Sequence, residues 1–150
     1  MASQEFSQLF SVARSSDDCW NVLIDVARVS SWVSVVGEVT EHEHLARYST
    51  VLEDRLGPFK LRADLEVLVT AFSEHEFVTI RADGEDRQVG SRITVDATLA
   101  LAPTDAGCEV RIEGRYEVTG RVATMGASTI RQKADKILSE FMQAATRDLA

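Results

Sequence analysis

The spacing of apolar positions along this chain changes its period only near the two ends. Phe6, Phe10 and Val12 fall on one side of an alternating stretch, which predicts an opening strand over about Phe6 to Val12. Ser15 or Ser16, followed by Asp17 and Asp18, supplies a helix N-cap and an acidic first turn, so a short helix carrying Trp20 and Leu23 is expected next. Val29, Trp32 and Val33 recur at helical spacing and predict a second helical turn from about Asp25 to Val33. From about Val35 to Val118 the period is two. Turn signals stand at Gly57-Pro58, Ser73-Glu74, Asp83-Gly84 and from Pro103 to Gly107, so hairpins should join neighbouring strands. The clearest strand runs from Phe59 to Ala71, with Phe59, Leu61, Ala63, Leu65, Val67, Val69 and Ala71 on one face and Lys60, Arg62, Asp64 and Glu66 on the other. Such alternation needs a sheet with one wet face.

It recurs at Ile93, Val95, Ala97, Leu99 and Leu101, and at Val110, Ile112, Gly114, Tyr116 and Val118. These long apolar faces require a cover. The period changes to helical from about Val122 to Asp148, where Ala123, Ala127, Ile130, Ala134, Ile137, Leu138, Phe141 and Ala145 form a stripe. A helix of that length, roughly 40 Å, matches the roughly 43 Å of a 13-residue strand. The expected architecture is α+β: a curved, seven-stranded antiparallel sheet around a long C-terminal helix, with two short helices after the first strand.

Composition narrows the function. A chain of 150 residues with 45% apolar content suits one domain, residues 1–150, able to bury a sizeable core. The net charge of −8 argues against nucleic acid as a partner, because phosphate binding needs clustered Lys and Arg. Residues 120–150 are the exception, with Arg121, Arg131, Lys133, Lys136 and Arg147 against Asp135, Glu140 and Asp148. That helix is read as a solvated face or as a dock for an acidic partner or an anionic membrane surface. No signal peptide or membrane-spanning stretch is evident, so the chain is expected in the cytoplasm. Cys19 and Cys108 fall in a predicted helix and a predicted strand and are expected to lie far apart as reduced core thiols.

Candidate chemistry is sparse. His42 and His44 share one face of a predicted strand, with His75 as a distant third, but their EHEH setting is that of an exposed strand rather than a metal site. Asp83, Glu85 and Asp86 form an acidic run that reads as a hairpin turn, without the ligand spacing of a calcium loop. No nucleophile and base converge. The inward residues Ala63, Ala97 and Gly114 are small, and they face an alanine-rich helix stripe. Two readings stand side by side: close helix-to-sheet packing, or an apolar cavity under the helix. For the second, the candidate lining is Trp32, Phe59, Leu61, Ala63, Ala97, Gly114, Tyr116, Met125, Ile130 and Ala134. Its mouth would lie among the Val33 to Gly37 loop, the Gly57-Pro58 hairpin and the Gly120 to Gly126 junction.

In order along the chain stand FSQLFSV, Trp20 and Leu23 before Asp25, Tyr48 leading to Leu56-Gly57-Pro58, the Gly84 and Ser91 region, and VTGRVATMGASTI. In that order and spacing the sequence resembles the carbon monoxide dehydrogenase G-subunit family, within the START-like or SRPBCC superfamily of helix-grip folds, from Phe6 to about Phe141. Val118, Gly120, Ala123, Gly126 and Ile130 occupy the family's strand-to-helix junction, followed by its Ala134 and Phe141. Where members usually have Pro-Gly after the second short helix, this chain reads Trp32-Val33-Ser34-Val35-Val36. The resemblance implies a non-catalytic accessory protein that binds an apolar small molecule, a quinone or other lipid, without a covalent cofactor. It also implies that the protein helps a molybdenum hydroxylase of the CO dehydrogenase type to reach the quinone pool or the inner face of the cell membrane by peripheral contact. Members often carry a tail beyond the grip helix, and with the sequence stopping at Ala150 that contact is expected to be weak. The alternatives are an enzyme of the cyclase or hydrolase kind found elsewhere in the superfamily and a plain protein-interaction module.

Overall fold

The computed structural model describes residues 2–150. Strand β1 (Ala2–Val12) is followed by helices α1 (Ser16–Leu23) and α2 (Val26–Ser30). Six strands come next: β2 (Thr40–Glu43), β3 (Arg47–Leu56), β4 (Phe59–Ser73), β5 (Phe77–Asp86), β6 (Ser91–Thr104) and β7 (Gly107–Gly120). A 3₁₀ turn (Val122–Met125) then leads into the long helix α3 (Ala127–Asp148). All pairings are antiparallel, in the order β1-β7-β6-β5-β4-β3-β2. Successive hairpins thus build β2 to β7, and the first strand closes the far edge by pairing with the last.

The short helices start where their caps dictate. Ser15 Oγ accepts from the Asp18 N–H at 3.2 Å, with Asp17 and Asp18 at the positive end of α1. Asp25 Oδ1 does the same for Arg28 at 3.3 Å at the start of α2.

Four expectations are corrected. Asp83-Gly84 is not a turn; it lies inside β5, and the hairpin is Arg87 to Gly90. Asp86 Oδ1 accepts from Gln88 and Val89 N–H groups (2.9 and 3.0 Å), and Gly90 supplies the left-handed φ of 72°. Gly84 instead permits a close strand approach, since a Cβ there would stand 2.3 Å from the Asp64 carbonyl. Ala71 does not face inward: the β4–β5 register slips between Val69 and Ala71, Thr70 becomes the extra residue of a bulge, and Ala71 is turned out to solvent. The long helix begins at Ala127 rather than Val122, because Gly126 at φ 95° breaks it from the 3₁₀ turn. Ser91 Oγ, buried, holds that turn by accepting from Val122 N–H at 2.9 Å.

Finally, Cys19 and Cys108 are not far apart. Both are fully buried and unbridged, and their thiols interact, because the start of α1 folds back over the first residues of β7. Ser16 Oγ is 3.5 Å from Cys108 Sγ. Burial, then the neighbouring Cys108, pushes the Cys19 thiol up to about 11.

Candidate functional site

Two apolar clusters lie between α3 and the inner face of the sheet. The first gathers Trp20, Trp32, Val110, Phe141, Ala145 and Leu149 at the end covered by α1 and α2. It is knit by an edge-on contact of Trp32 with Phe141, ring centroids 5.4 Å apart. The second lies under the N-terminal half of α3 and the 3₁₀ turn, and joins Leu61, Ile93, Tyr116, Val118, Val122 and Ile130. Phe6, Leu52, Leu56, Phe59, Met125 and Ala134 pack against it.

The structure therefore brings together six of the predicted lining residues: Phe59, Leu61, Tyr116, Met125, Ile130 and Ala134. Trp32 stands apart in the first cluster, where its indole Nε1–H donates to Asp148 Oδ2 at 3.0 Å. It cannot share a mouth with Met125. Ala63 is fully buried on β4 opposite Leu52. Ala97 and Gly114 are cross-strand partners, but Gly114 is not spare room: a Cβ there would stand 2.0 Å from the Asp96 carbonyl. Its smallness serves the close approach of β6 and β7.

The candidate mouth elements divide in the same way. Gly57 of the β3–β4 hairpin faces Met125, whose Cε would be 3.2 Å from an added Cβ, and Arg121 lies over the Phe59 ring at 5.9 Å. The loop of residues 33–37 is instead stitched down. Glu140 of α3 accepts from Ser34 N–H and from Ser34 Oγ (3.1 Å for the hydroxyl), and Gly37 N–H donates to the Val51 carbonyl at 2.8 Å.

Between the clusters the inner face is not fully covered. Val95, Ala97 and Leu99 on the inner face of β6 are only half-buried, as are Ile80 on the central strand β5, Val67 and Val69 on β4, and Ala134, Ile137 and Leu138 on α3. A helix packed directly on a sheet would bury such positions. The backbone of α3 comes closest to the edge strand β1 and to the 3₁₀ turn rather than to the middle of the sheet.

Two polar features on this inner face were not expected. Asp54, between Leu52 and Leu56 on β3, points inward, and Lys133 Nζ of α3 lies 2.8 Å from its Oδ2, an oxygen that makes no well-aligned hydrogen bond. Tyr116 Oη is buried without a partner. The sequence carried the signal: Asp54 obeys the period-two alternation of Leu52 and Leu56, and Lys133 stands three after Ile130 and four before Ile137.

The opposite face of the sheet carries an open depression of about 720 Å³ over β2 to β6. Arg92 pairs there with Asp83 at 2.6 Å and Arg81 with the neighbouring Asp96 at 3.4 Å, while Glu38, Asp64 and Glu66 also line it and leave it acidic on balance. The Arg92 guanidinium holds the Asp83 carboxyl below its ordinary range. His44 pairs with Glu41 at 2.6 Å and His42 with Ser49, both exposed, and His75 faces Asp17. Among the described residues, no group of three or more His, Cys, Asp or Glu is placed to hold a metal ion, and no helix is long and apolar enough to cross a membrane.

A curved antiparallel sheet gripping one long helix, with two short helices after the first strand, defines a START-like helix-grip fold. The solved structure of a START superfamily protein from Mycobacterium smegmatis superposes with a TM-score of 0.72 at 11% identity, covering 97% of this chain and 96% of that one. The chain belongs to the carbon monoxide dehydrogenase G-subunit (CoxG) family, whose model matches residues 9–150. A conserved protein from Geobacillus kaustophilus is similar at TM-score 0.82 and 17% identity, covering 98% of this chain and 94% of that one. The di-domain ARO/CYC StfQ from the steffimycin biosynthetic pathway is similar at TM-score 0.71 and 10% identity over 99% of this chain and 51% of its own length. No curated protein matches the sequence.

Proposed function

We propose that this protein is a non-catalytic accessory factor that carries an apolar molecule, of quinone or other lipid type, between α3 and the sheet. The observation that carries the reading is the half-buried band of Ile80, Val95, Ala97 and Leu99 beneath α3, apolar surface that a ligand would cover. Family membership supports a role beside a molybdenum hydroxylase of the CO dehydrogenase type, bringing that enzyme to the quinone pool or to the inner face of the membrane. The apolar corner where the β3–β4 hairpin beside Phe59 meets Met125 of the 3₁₀ turn is the part of the surface suited to transfer, since both residues are part-exposed and pack on the second cluster. Native mass spectrometry of protein purified gently from its own host tests the carrier reading. A co-purifying apolar molecule is the expected result, and a uniformly ligand-free protein that also takes up no lipid from liposomes would overturn it.

A second reading rests on Asp54, Lys133 and Tyr116, ionisable groups of a kind that acid–base chemistry uses, all on the inner face. The enzyme reading predicts turnover of polyketide-like or ester substrates that disappears in Asp54→Asn. The carrier reading predicts none.

A further inference from the structure

Tyr116 lies on the inner face of β7, between Gly114 and Val118 of the same face, and its phenol is 7% exposed. Its ring belongs to the second apolar cluster with Ile93, Val122 and Ile130. Its hydroxyl makes no well-aligned hydrogen bond, although the Arg131 guanidinium stands near it. The best-formed contacts of that guanidinium go to other groups: the Glu5 carbonyl at 2.6 Å, Gln4 Oε1 at 3.3 Å and Asp135 at 3.2 Å. An unmatched buried hydroxyl costs roughly 1–3 kcal/mol, so a phenylalanine would serve packing better. The same inner face carries one ion pair, Asp54 Oδ2 with Lys133 Nζ at 2.8 Å, so its carboxylate is already matched. A buried hydroxyl without a well-aligned partner on an apolar surface, beside a band that α3 leaves half-covered, is the pattern of a site whose polar partner arrives with a ligand.

We infer, building on the carrier reading above, that the site selects apolar molecules bearing a carbonyl-type oxygen, and that the Tyr116 hydroxyl donates the hydrogen bond that recognises it. Burial pushes the Tyr116 phenol above its ordinary range, so it stays protonated and a donor at neutral pH. In the low-dielectric interior this one bond separates a ketone from a hydrocarbon of the same shape, because only the ketone satisfies the orphan donor.

Isothermal titration of wild type and Tyr116→Phe with 2-acetylnaphthalene and 2-ethylnaphthalene, which differ by one carbonyl oxygen, tests this. Wild type should bind the ketone more tightly. Tyr116→Phe should weaken the ketone about fivefold to tenfold, leave the hydrocarbon unchanged, and not lower the Tm of the ligand-free protein. If wild type binds both equally, or Tyr116→Phe weakens both alike, the inference is overturned while the carrier reading stands. A fall of several degrees in the Tm of ligand-free Tyr116→Phe would also overturn it, since the hydroxyl would then have an internal partner. If neither compound binds wild type, the inference fails together with the carrier reading.

Discussion

Trp32 and Asp148, 116 residues apart, are joined by an indole N–H to carboxylate hydrogen bond of 3.0 Å. Arg28 completes the junction with two further bonds to the same carboxylate, 2.6 and 2.8 Å long. The C-terminal end of α3 is thereby fastened to α2, while its N-terminal half is held to β1 through Arg131 and to β3 through Lys133.

Arg28, then Trp32, hold the Asp148 carboxyl down at about 2, from an ordinary 3.8. Because the folded value lies below the unfolded one, the junction's contribution is fully present above the unfolded value and is lost as pH falls through the folded one. Asp148→Asn should lower the Tm by a few degrees at neutral pH. The gap to wild type should begin to close below about pH 4 and vanish only near pH 2, and a gap that widens on acidification would contradict the assignment.

Asp86 accepts from three backbone N–H groups, those of Arg62 (2.7 Å), Gln88 and Val89, while 6% exposed. Asp86→Ala should cost about 2–3 kcal/mol in urea denaturation, since it orphans donors at the β5–β6 hairpin. A cost near zero would mean that water replaces the carboxylate there.

Gly114→Ala should destabilise the ligand-free protein by about 1–3 kcal/mol, because the added Cβ meets the Asp96 carbonyl rather than a void. Spare volume at this position, as the small inward residues of the sequence suggest, predicts no loss. Chemical denaturation of the variant separates the two.

Met125→Asp should slow the transfer of a naphthoquinone from liposomes, measured by stopped flow, more than a matched change at outward Glu113 does. Trp32→Ala should act differently: it removes a buried ring from the first cluster, costing about 3–5 kcal/mol of stability. Slower transfer by folded Trp32→Ala than by Met125→Asp would place the mouth at the opposite end.

Cys19, at about 11, has roughly one thiolate per thousand molecules at pH 8. An aromatic disulfide reagent should modify native protein at least roughly tenfold more slowly than urea-unfolded protein. Rapid labelling of the native state would show that the α1 end opens readily.

How much of this was legible beforehand follows from the range over which each signal acts. Alternation in β4, β6 and β7 and the Ile130 to Phe141 stripe report burial within a few residues, so the order of elements, the inner face and the long helix were open to reading from the sequence alone. The second cluster followed, because its members sit on those faces. What only the tertiary structure decided depends on partners distant in the chain. Asp83-Gly84 has the composition of a turn, yet pairing with β4 and β6 on both sides keeps it in a strand. Thr70 becomes a bulge only through its register with β5. Trp32 belongs to the closed end because Asp148 waits there, and Cys19 meets Cys108 because α1 folds over β7. Local pattern assigns a residue to a face; only the packing of separate segments decides which neighbour it finds there, and whether, as with Tyr116 Oη, it finds one at all.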